Sequence, residues 1–307
     1  MNVLVTGASG HIGGAIARLL RDRGHAVRAA VRAPECAPEG CEPVVLDLAR
    51  AEPDRCADII RGCDAVVHAA AWMGDTNDTE ASLRVNIMGT FRLLEASTGM
   101  VQAFILISGL NFLKKPLDGL VSEDYPVEEP ADPYALGKLA AESLALQHMR
   151  RAQTGRVVML RPSSPVGPGL RRRRFFSICC EAAAAGEPIR LHGRGTRLQD
   201  YVDARDIARA ALAALERPDA AGIYHIGAGI GLSNLDLARR CVEALNSDSP
   251  IVFSGCPDPE EGPSWTLDIR RAARELGYAP AYSLDDAIRD YAAWRNLSRT
   301  SDSGASR

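Results

Sequence analysis

Apolar residues in this chain fall into short runs separated by amphipathic stretches. Runs at 3–5, 27–31, 43–47, 65–68, 103–107 and 156–160 are dominated by Val, Ile, Leu and Ala. Each is too short for a helix and reads as a parallel strand buried on both faces. Helical periodicity fills the gaps at 15–20, 53–61, 79–98 and 134–151, and Gly24 caps the first helix. Strands alternating with helices predict an α/β fold, a doubly wound, Rossmann-like parallel sheet. A loop rich in Asp, Glu and Pro spans 111–133. Past Arg161-Pro162 the alternation loosens into a Pro/Gly loop (163–170), four arginines (171–174), a helix (175–185), a turn (192–195), a helix (204–216), a short strand (222–227) and helices at 235–245 and 284–294. No internal repeat is present.

The first strand runs into Thr6-Gly7-Ala8-Ser9-Gly10-His11-Ile12-Gly13 and then a helix. In that order one glycine permits a tight turn, one lets the backbone approach a pyrophosphate, and one lets the helix pack on the strand. The pyrophosphate would rest on free N–H groups at the helix N-terminus. A glycine triad alone is an ordinary βα turn; the strand before it and the helix after it carry the dinucleotide reading. Gly7, Ser9, Gly10, His11, Ile12 and Gly13 are thus candidate cofactor contacts. The domains follow: 1–161 binds the dinucleotide, with some later segments returning to it; 162–295 is mainly a smaller C-terminal substrate lobe; 296–307, polar and rich in Ser, is a disordered tail. An acidic residue ending the second strand would select NAD(H) through the ribose 2′-OH. Here Val31 is followed by Arg32, whose guanidinium suits a 2′-phosphate, so NADP(H) is expected, with NAD(H) the alternative.

Tyr134-Ala-Leu-Gly-Lys138 is the main chemical signal. Tyr and Lys at i and i+4 share a helix face. A phenol has a reference pKa near 10, and a nearby ammonium lowers it toward use as a general acid or base on a secondary alcohol or ketone.

Composition removes other classes. Thirty-six Lys plus Arg against 39 Asp plus Glu give a net charge of -3, which argues against bulk nucleic-acid binding. The run Arg171–Arg174 lacks interleaved aromatics and reads as a solvated helix start or an anion-binding rim. No apolar run has the length of a membrane span. The chain starts in a strand with no leader pattern, so a cytoplasmic location is expected. Eight cysteines show no CxxC pair and six histidines no ligand spacing, so reduced thiols and no metal are expected.

The glycine spacing resembles the TGxxGxxG signature of the extended short-chain dehydrogenase/reductase superfamily, the NAD-dependent epimerase/dehydratases. Other segments are similar: His68-Ala69-Ala70-Ala71, Asp47-Leu48, Asn86-Ile-Met-Gly89-Thr90 with Leu94-Glu95-Ala96, Leu160-Arg161-Pro162, Val166-Gly167-Pro168-Gly169, Asp200-Tyr-Val-Asp-Ala-Arg-Asp206, and Glu275-Leu-Gly-Tyr-Ala-Pro280. The likeness covers about 1–295 and specifies no single reaction. It implies that Tyr134 exchanges the proton and that Lys138 tunes it and holds the ribose. It also implies cofactor contacts at Asp47, Leu48, Ala69, Ala70 and Pro162, and a homodimer through the helices near 79–98 and 134–151.

Two departures matter. The superfamily's Ser or Thr past the fifth strand falls on Gly109, with Ser108 one residue earlier. Strand neighbours point to opposite faces, so Ser108 polarises a substrate oxygen only if a turn rotates it inward. The two arginines that hold a diphosphate fall on Gln199 and Asp258, with Arg197 two residues before the first. Each lost contact is worth about 1.5–3 kcal/mol. Unless Arg171–Arg174, Arg194 or Arg197 compensate, this points to a smaller or uncharged hydroxy or keto compound. The resulting reading is an NAD(P)-dependent oxidoreductase that reduces a ketone. The alternatives are a nucleotide-sugar epimerase or dehydratase with retained NAD, and a catalytically silent NADP-binding regulator. Gly109 favours the regulator; the Tyr134/Lys138 pair opposes it.

Overall fold

The computed structural model describes residues 1–74, 78–130, 132–151 and 155–297. Seven strands, β1 (Asn2–Thr6), β2 (Ala26–Val31), β3 (Glu42–Val45), β4 (Ala65–His68), β5 (Ala103–Ile107), β6 (Arg156–Pro162) and β7 (Gly222–Ile226), form one parallel sheet. Their order is β7-β6-β5-β4-β1-β2-β3. It reverses between β1 and β4, the place where such sheets bind ligands beyond the strands' carboxyl ends.

The helices are α1 (His11–Asp22), α2 (Pro53–Ile60), α3 (Thr79–Ser82), α4 (Thr90–Ser97), α5 (Pro133–Arg151), α6 (Phe175–Ala185), α7 (Ala204–Glu216), α8 (Asn234–Ala244), α9 (Arg270–Leu276) and α10 (Leu284–Trp294). The apolar strand runs are continuous because both sheet faces are covered. Val3, Val5, Ile105, Ile107, Val158 and Leu160 pack with α1, α7 and α9 on one face. Leu4, Phe104, Leu106, Val157 and Met159 pack with α2, α4 and α5 on the other. Alternate residues therefore go to opposite cores, as the pleat requires.

The differences from the sequence reading lie where pairing partners are distant. The strand near 222 joins the main sheet beside β6, with Gly222 opposite Val158. The stretch 79–98 is helical, but Leu83–Gly89 between α3 and α4 is π-helical. The loop 111–133 contains a strand, Gly119–Val121, parallel to Trp265–Leu267. Phe112, Leu113 and Val121 bury there against Trp265 and Leu267. α9 was not anticipated. The tail lies outside the described residues from 298 onward.

The second half builds its own core from α6, α8 and α10, with Phe176, Cys179, Cys180, Cys241 and Tyr291 inside. Ile189–Leu191 and Ile251–Phe253 form a parallel pair on it.

Candidate active site

β1 ends at Thr6, and Gly7 then takes φ +68°, a conformation L side chains avoid. A Cβ on Gly7 would come within 2.8 Å of Ala70 Cα, and one on Gly13 within 2.2 Å of the Gly7 carbonyl oxygen. The first glycine lets the turn close against the end of β4, and the third seats α1 on the turn. α1 has Gly10 as N-cap with no side-chain cap, so its first N–H groups stay available for an anion. The residues present thus fit the pyrophosphate of a dinucleotide.

A buried histidine fixes this floor. The Ala70 N–H donates to Thr6 Oγ1 (3.2 Å), Thr6 Oγ1 lies 2.7 Å from His68 Nδ1, and His68 Nε2 lies 2.9 Å from Thr90 Oγ1. Thr90 spends its hydroxyl proton on the Asn86 carbonyl (2.7 Å), so the ring donates from Nε2 and accepts at Nδ1. Burial pulls the His68 pKa down to about 3, which keeps the ring neutral.

The cleft beyond this floor has a volume of ≈ 1550 Å³, more than one small ligand fills, and suits a dinucleotide with a second molecule. The glycine turn (residues 7 and 9–13), Arg32, Asp47, Leu48, Ala69, Ala70 and Pro162 line it, as do Ser108 and Tyr134. Lys138 does not. It is 5% exposed, and its Nζ donates to the Ile107 carbonyl at 2.7 Å. Three buried polar atoms on cleft-lining residues have no hydrogen-bond partner: His11 Nε2, Trp72 Nε1 and Ser108 Oγ. Such atoms are rare in folded proteins, and here they belong to residues that line the cleft.

Tyr134 is positioned from below. Gly137 lets α5 close on the π-helical stretch; a Cβ there would come 2.7 Å from Asn86 Cβ. Ser82 donates to the Pro133 carbonyl at 2.6 Å, and Asp132 accepts from the Ala135 N–H at 2.8 Å. Burial pushes the Tyr134 pKa up to about 12, against a downward pull from Arg174 and Arg172. Burial lowers the Lys138 pKa to about 8, against an upward pull from Glu142. Lys138 Nζ lies 5.8 Å from the Tyr134 ring centroid. The sequence reading gave Lys138 the tuning role; burial is the largest influence on the phenol, with Arg174 and Arg172 opposing it.

In the second half, Gln199 and Asp258, where the sequence reading put the two missing arginines, line the cleft. Arg197 pairs with Asp258 at 4.0 Å and with Glu260, which neutralises the carboxylates expected to repel an anion. Arg171, Arg172, Arg174 and Arg190 also line the cleft, and no ion pair is recorded for them among the described residues. The expectation of a smaller or uncharged substrate held unless these arginines compensate, and they stand where they could. The arginine run thus acquires a setting, as a cleft rim, that the sequence alone left open. Trp72 was missed; nothing marks it in sequence except its place just after the small-residue run. Among the described residues no cluster of His, Cys, Asp or Glu could hold a metal ion, and no helix is long and apolar enough to cross a membrane.

A Rossmann-like sheet with a glycine cradle at its switch point defines a dinucleotide-dependent enzyme class. The profile of the "NAD dependent epimerase/dehydratase family" matches residues 3–227, and the chain belongs to that family. It is 30% identical over 315 residues to "dTDP-glucose 4,6-dehydratase" of Streptomyces griseus, covering 97% of this chain and 95% of that one. It is 30% identical to "GDP-6-deoxy-D-mannose reductase" of Pseudomonas aeruginosa, over 68% of this chain and 71% of that one. Among solved structures it resembles "MoeE5 in complex with UDP-glucuronic acid and NAD", with TM-score 0.84 and 30% identity over 96% of this chain and 99% of that one. The chain is therefore an enzyme of the extended short-chain dehydrogenase/reductase type.

Proposed function

We propose that the protein is an NADP(H)-preferring oxidoreductase that interconverts a secondary alcohol and a ketone, with reduction as its net direction. The observation that supports this most directly is the placement of Tyr134 and the unpartnered Ser108 hydroxyl in the same cleft as the glycine cradle. A bound nicotinamide dinucleotide supplies the hydride. Tyr134, whose raised pKa keeps it protonated at neutral pH, gives its proton to the substrate oxygen. Ser108 donates a hydrogen bond to the same oxygen. Buried Lys138 holds a positive charge beneath the phenol ring.

Loss of water from a sugar needs an acid for the leaving hydroxyl and a base for the neighbouring C–H. Ser108 is followed along the cleft by Gly109 and Asn111, and the lining carboxylates are Asp47, Asp258 and Glu260. Asp47 lies beside Arg50 past β3, and the other two face Arg197. This supports reduction, or epimerisation by return of the hydride, over dehydration.

Purified protein is expected to exchange dinucleotide with solution and to oxidise NADPH against a panel of ketones and keto sugars. Retention of NAD through purification, with no NADPH oxidation, would put the epimerase reading first.

Arg32, just past β2, lines the cleft and has no ion pair among the described residues. Arg32→Ala is expected to weaken NADP(H) by about 1.5–3 kcal/mol and to leave NAD(H) nearly unchanged. Fluorescence titration with both cofactors measures this; equal losses would remove Arg32 from recognition of the 2′-phosphate.

A further inference from the structure

The wall around Tyr134 is rich in hydrogen-bond donors. Trp72 Nε1 is buried and unpartnered, and an indole N–H only donates. Arg172 and Arg174 line the same cleft with no ion pair recorded among the described residues, and a guanidinium also only donates. These groups are neighbours. Asn86 holds the Trp72 backbone from both sides, accepting from its N–H (2.6 Å) and donating to its carbonyl (3.0 Å). Asn86 also donates to Ser82 Oγ, which donates to the carbonyl of Pro133, the residue before Tyr134. Arg172 reaches across the cleft and donates to the carbonyl of Met73. Both arginines act electrostatically on the Tyr134 phenol. The carboxylates farther along the wall face Arg197 and do not serve this set.

We propose that Arg172, Arg174 and the Trp72 indole N–H form a carboxylate-binding subsite beside Tyr134, so that the substrate carries a carboxylate close to its reacting carbinol carbon. This rests on Tyr134 as the proton donor and narrows the substrate to an acidic hydroxy or keto compound, a uronic-acid sugar being one such compound. The planar guanidinium fork matches a carboxylate in geometry as well as charge.

The test is calorimetry on cofactor-saturated protein with matched pairs: UDP-glucuronic acid against UDP-glucose, and D-glucuronate against D-glucose. In at least one pair the acid is expected to bind ~10-fold tighter or more than its neutral partner, as charge-assisted contacts require. Arg172 and Arg174 are exposed and outside the apolar cores, so the double variant Arg172→Gln/Arg174→Gln should fold. It should bind acid and neutral members alike, with neutral affinity unchanged. Trp72→Phe, which keeps an aromatic ring and removes the N–H, should weaken the acid by about three- to ten-fold. Equal affinity within both pairs, an acid preference that survives the double variant, or no binding of any acid would overturn the subsite. Competition by pyrophosphate alone would assign the wall to a phosphoryl group and overturn it too. Binding needs no turnover, so the two readings fail separately. Tight, arginine-dependent binding of the acid without hydride transfer would sink the reaction and leave the subsite; reduction of neutral ketones without acid preference would do the reverse.

Discussion

Tyr134→Phe is expected to lower turnover by ~10²-fold or more while leaving cofactor affinity nearly unchanged. The substitution keeps the ring near Lys138 and removes only the hydroxyl. Stopped-flow or steady-state turnover, beside a cofactor titration, separates the two effects. A variant that turns over like the parent would move the proton route elsewhere, with Ser108 the next group to examine. The pH profile adds a second mark. Tyr134 stays protonated below about 12, so it leaves the reduction rate flat across neutral pH. Lys138 has its pKa lowered to about 8. Its charge is present below that value and lost above it, so turnover in the parent is expected to fall as pH rises through about 8.

Glu142→Gln is expected to destabilise the fold by about 3–5 kcal/mol, because it strands a buried guanidinium. Arg161 and Glu142 are 5% and 3% exposed, and they meet through two parallel bonds, Nε to Oε1 at 2.9 Å and Nη2 to Oε2 at 2.7 Å. Arg161 also donates to the Glu123 carbonyl (3.1 Å) and lies over the Phe112 ring. The pair thus binds α5, which carries Tyr134 and Lys138, to β6 and to the loop past β5. Glu142 holds the Lys138 pKa up, so its loss should also move the alkaline fall in turnover to lower pH. Urea unfolding measures the stability change, with Glu142→Leu/Arg161→Met as control; a buried pair replaced by apolar side chains can be neutral. A Glu142→Gln loss below about 1 kcal/mol would mean that water reaches Arg161 and that the pair is not closed.

The first five strands and β6 were legible because their apolar character depends only on local residues buried on both faces. The glycine turn was legible for the same reason: its geometry is set within fourteen residues. What escaped the sequence depends on contacts between distant segments. Gly119–Val121 reads as loop until Trp265–Leu267 lies beside it. The π-helical stretch was hidden because its residues keep a helical pattern, and only Asn86, reaching Trp72 and Ser82, shows what the extra residue achieves. For the site, type and spacing singled out the glycine turn, Ser108 and Tyr134, and these residues line one cleft. How far burial raises the Tyr134 pKa was not legible, since that turns on depth in the fold. Cleft-facing Trp72 is fixed by a side chain fourteen residues away.

The placement of α7, β7 and α9 also bears on how the chain is made. α1 packs mainly against α7, and the core beneath it includes Ile207, Leu212, Tyr224, Leu276 and Tyr278. The N-terminal half therefore leaves the ribosome with the outer side of α1 and the edge of β6 bare. At about 5–20 residues per second, several seconds pass between the emergence of β6 and that of β7, which pairs with its edge. During that interval the nascent chain displays an unsatisfied strand edge next to apolar surface, an aggregation-prone combination. Closure of this sheet thus waits for segments far along the chain, although the cradle that names its class is formed by β1 and α1 alone.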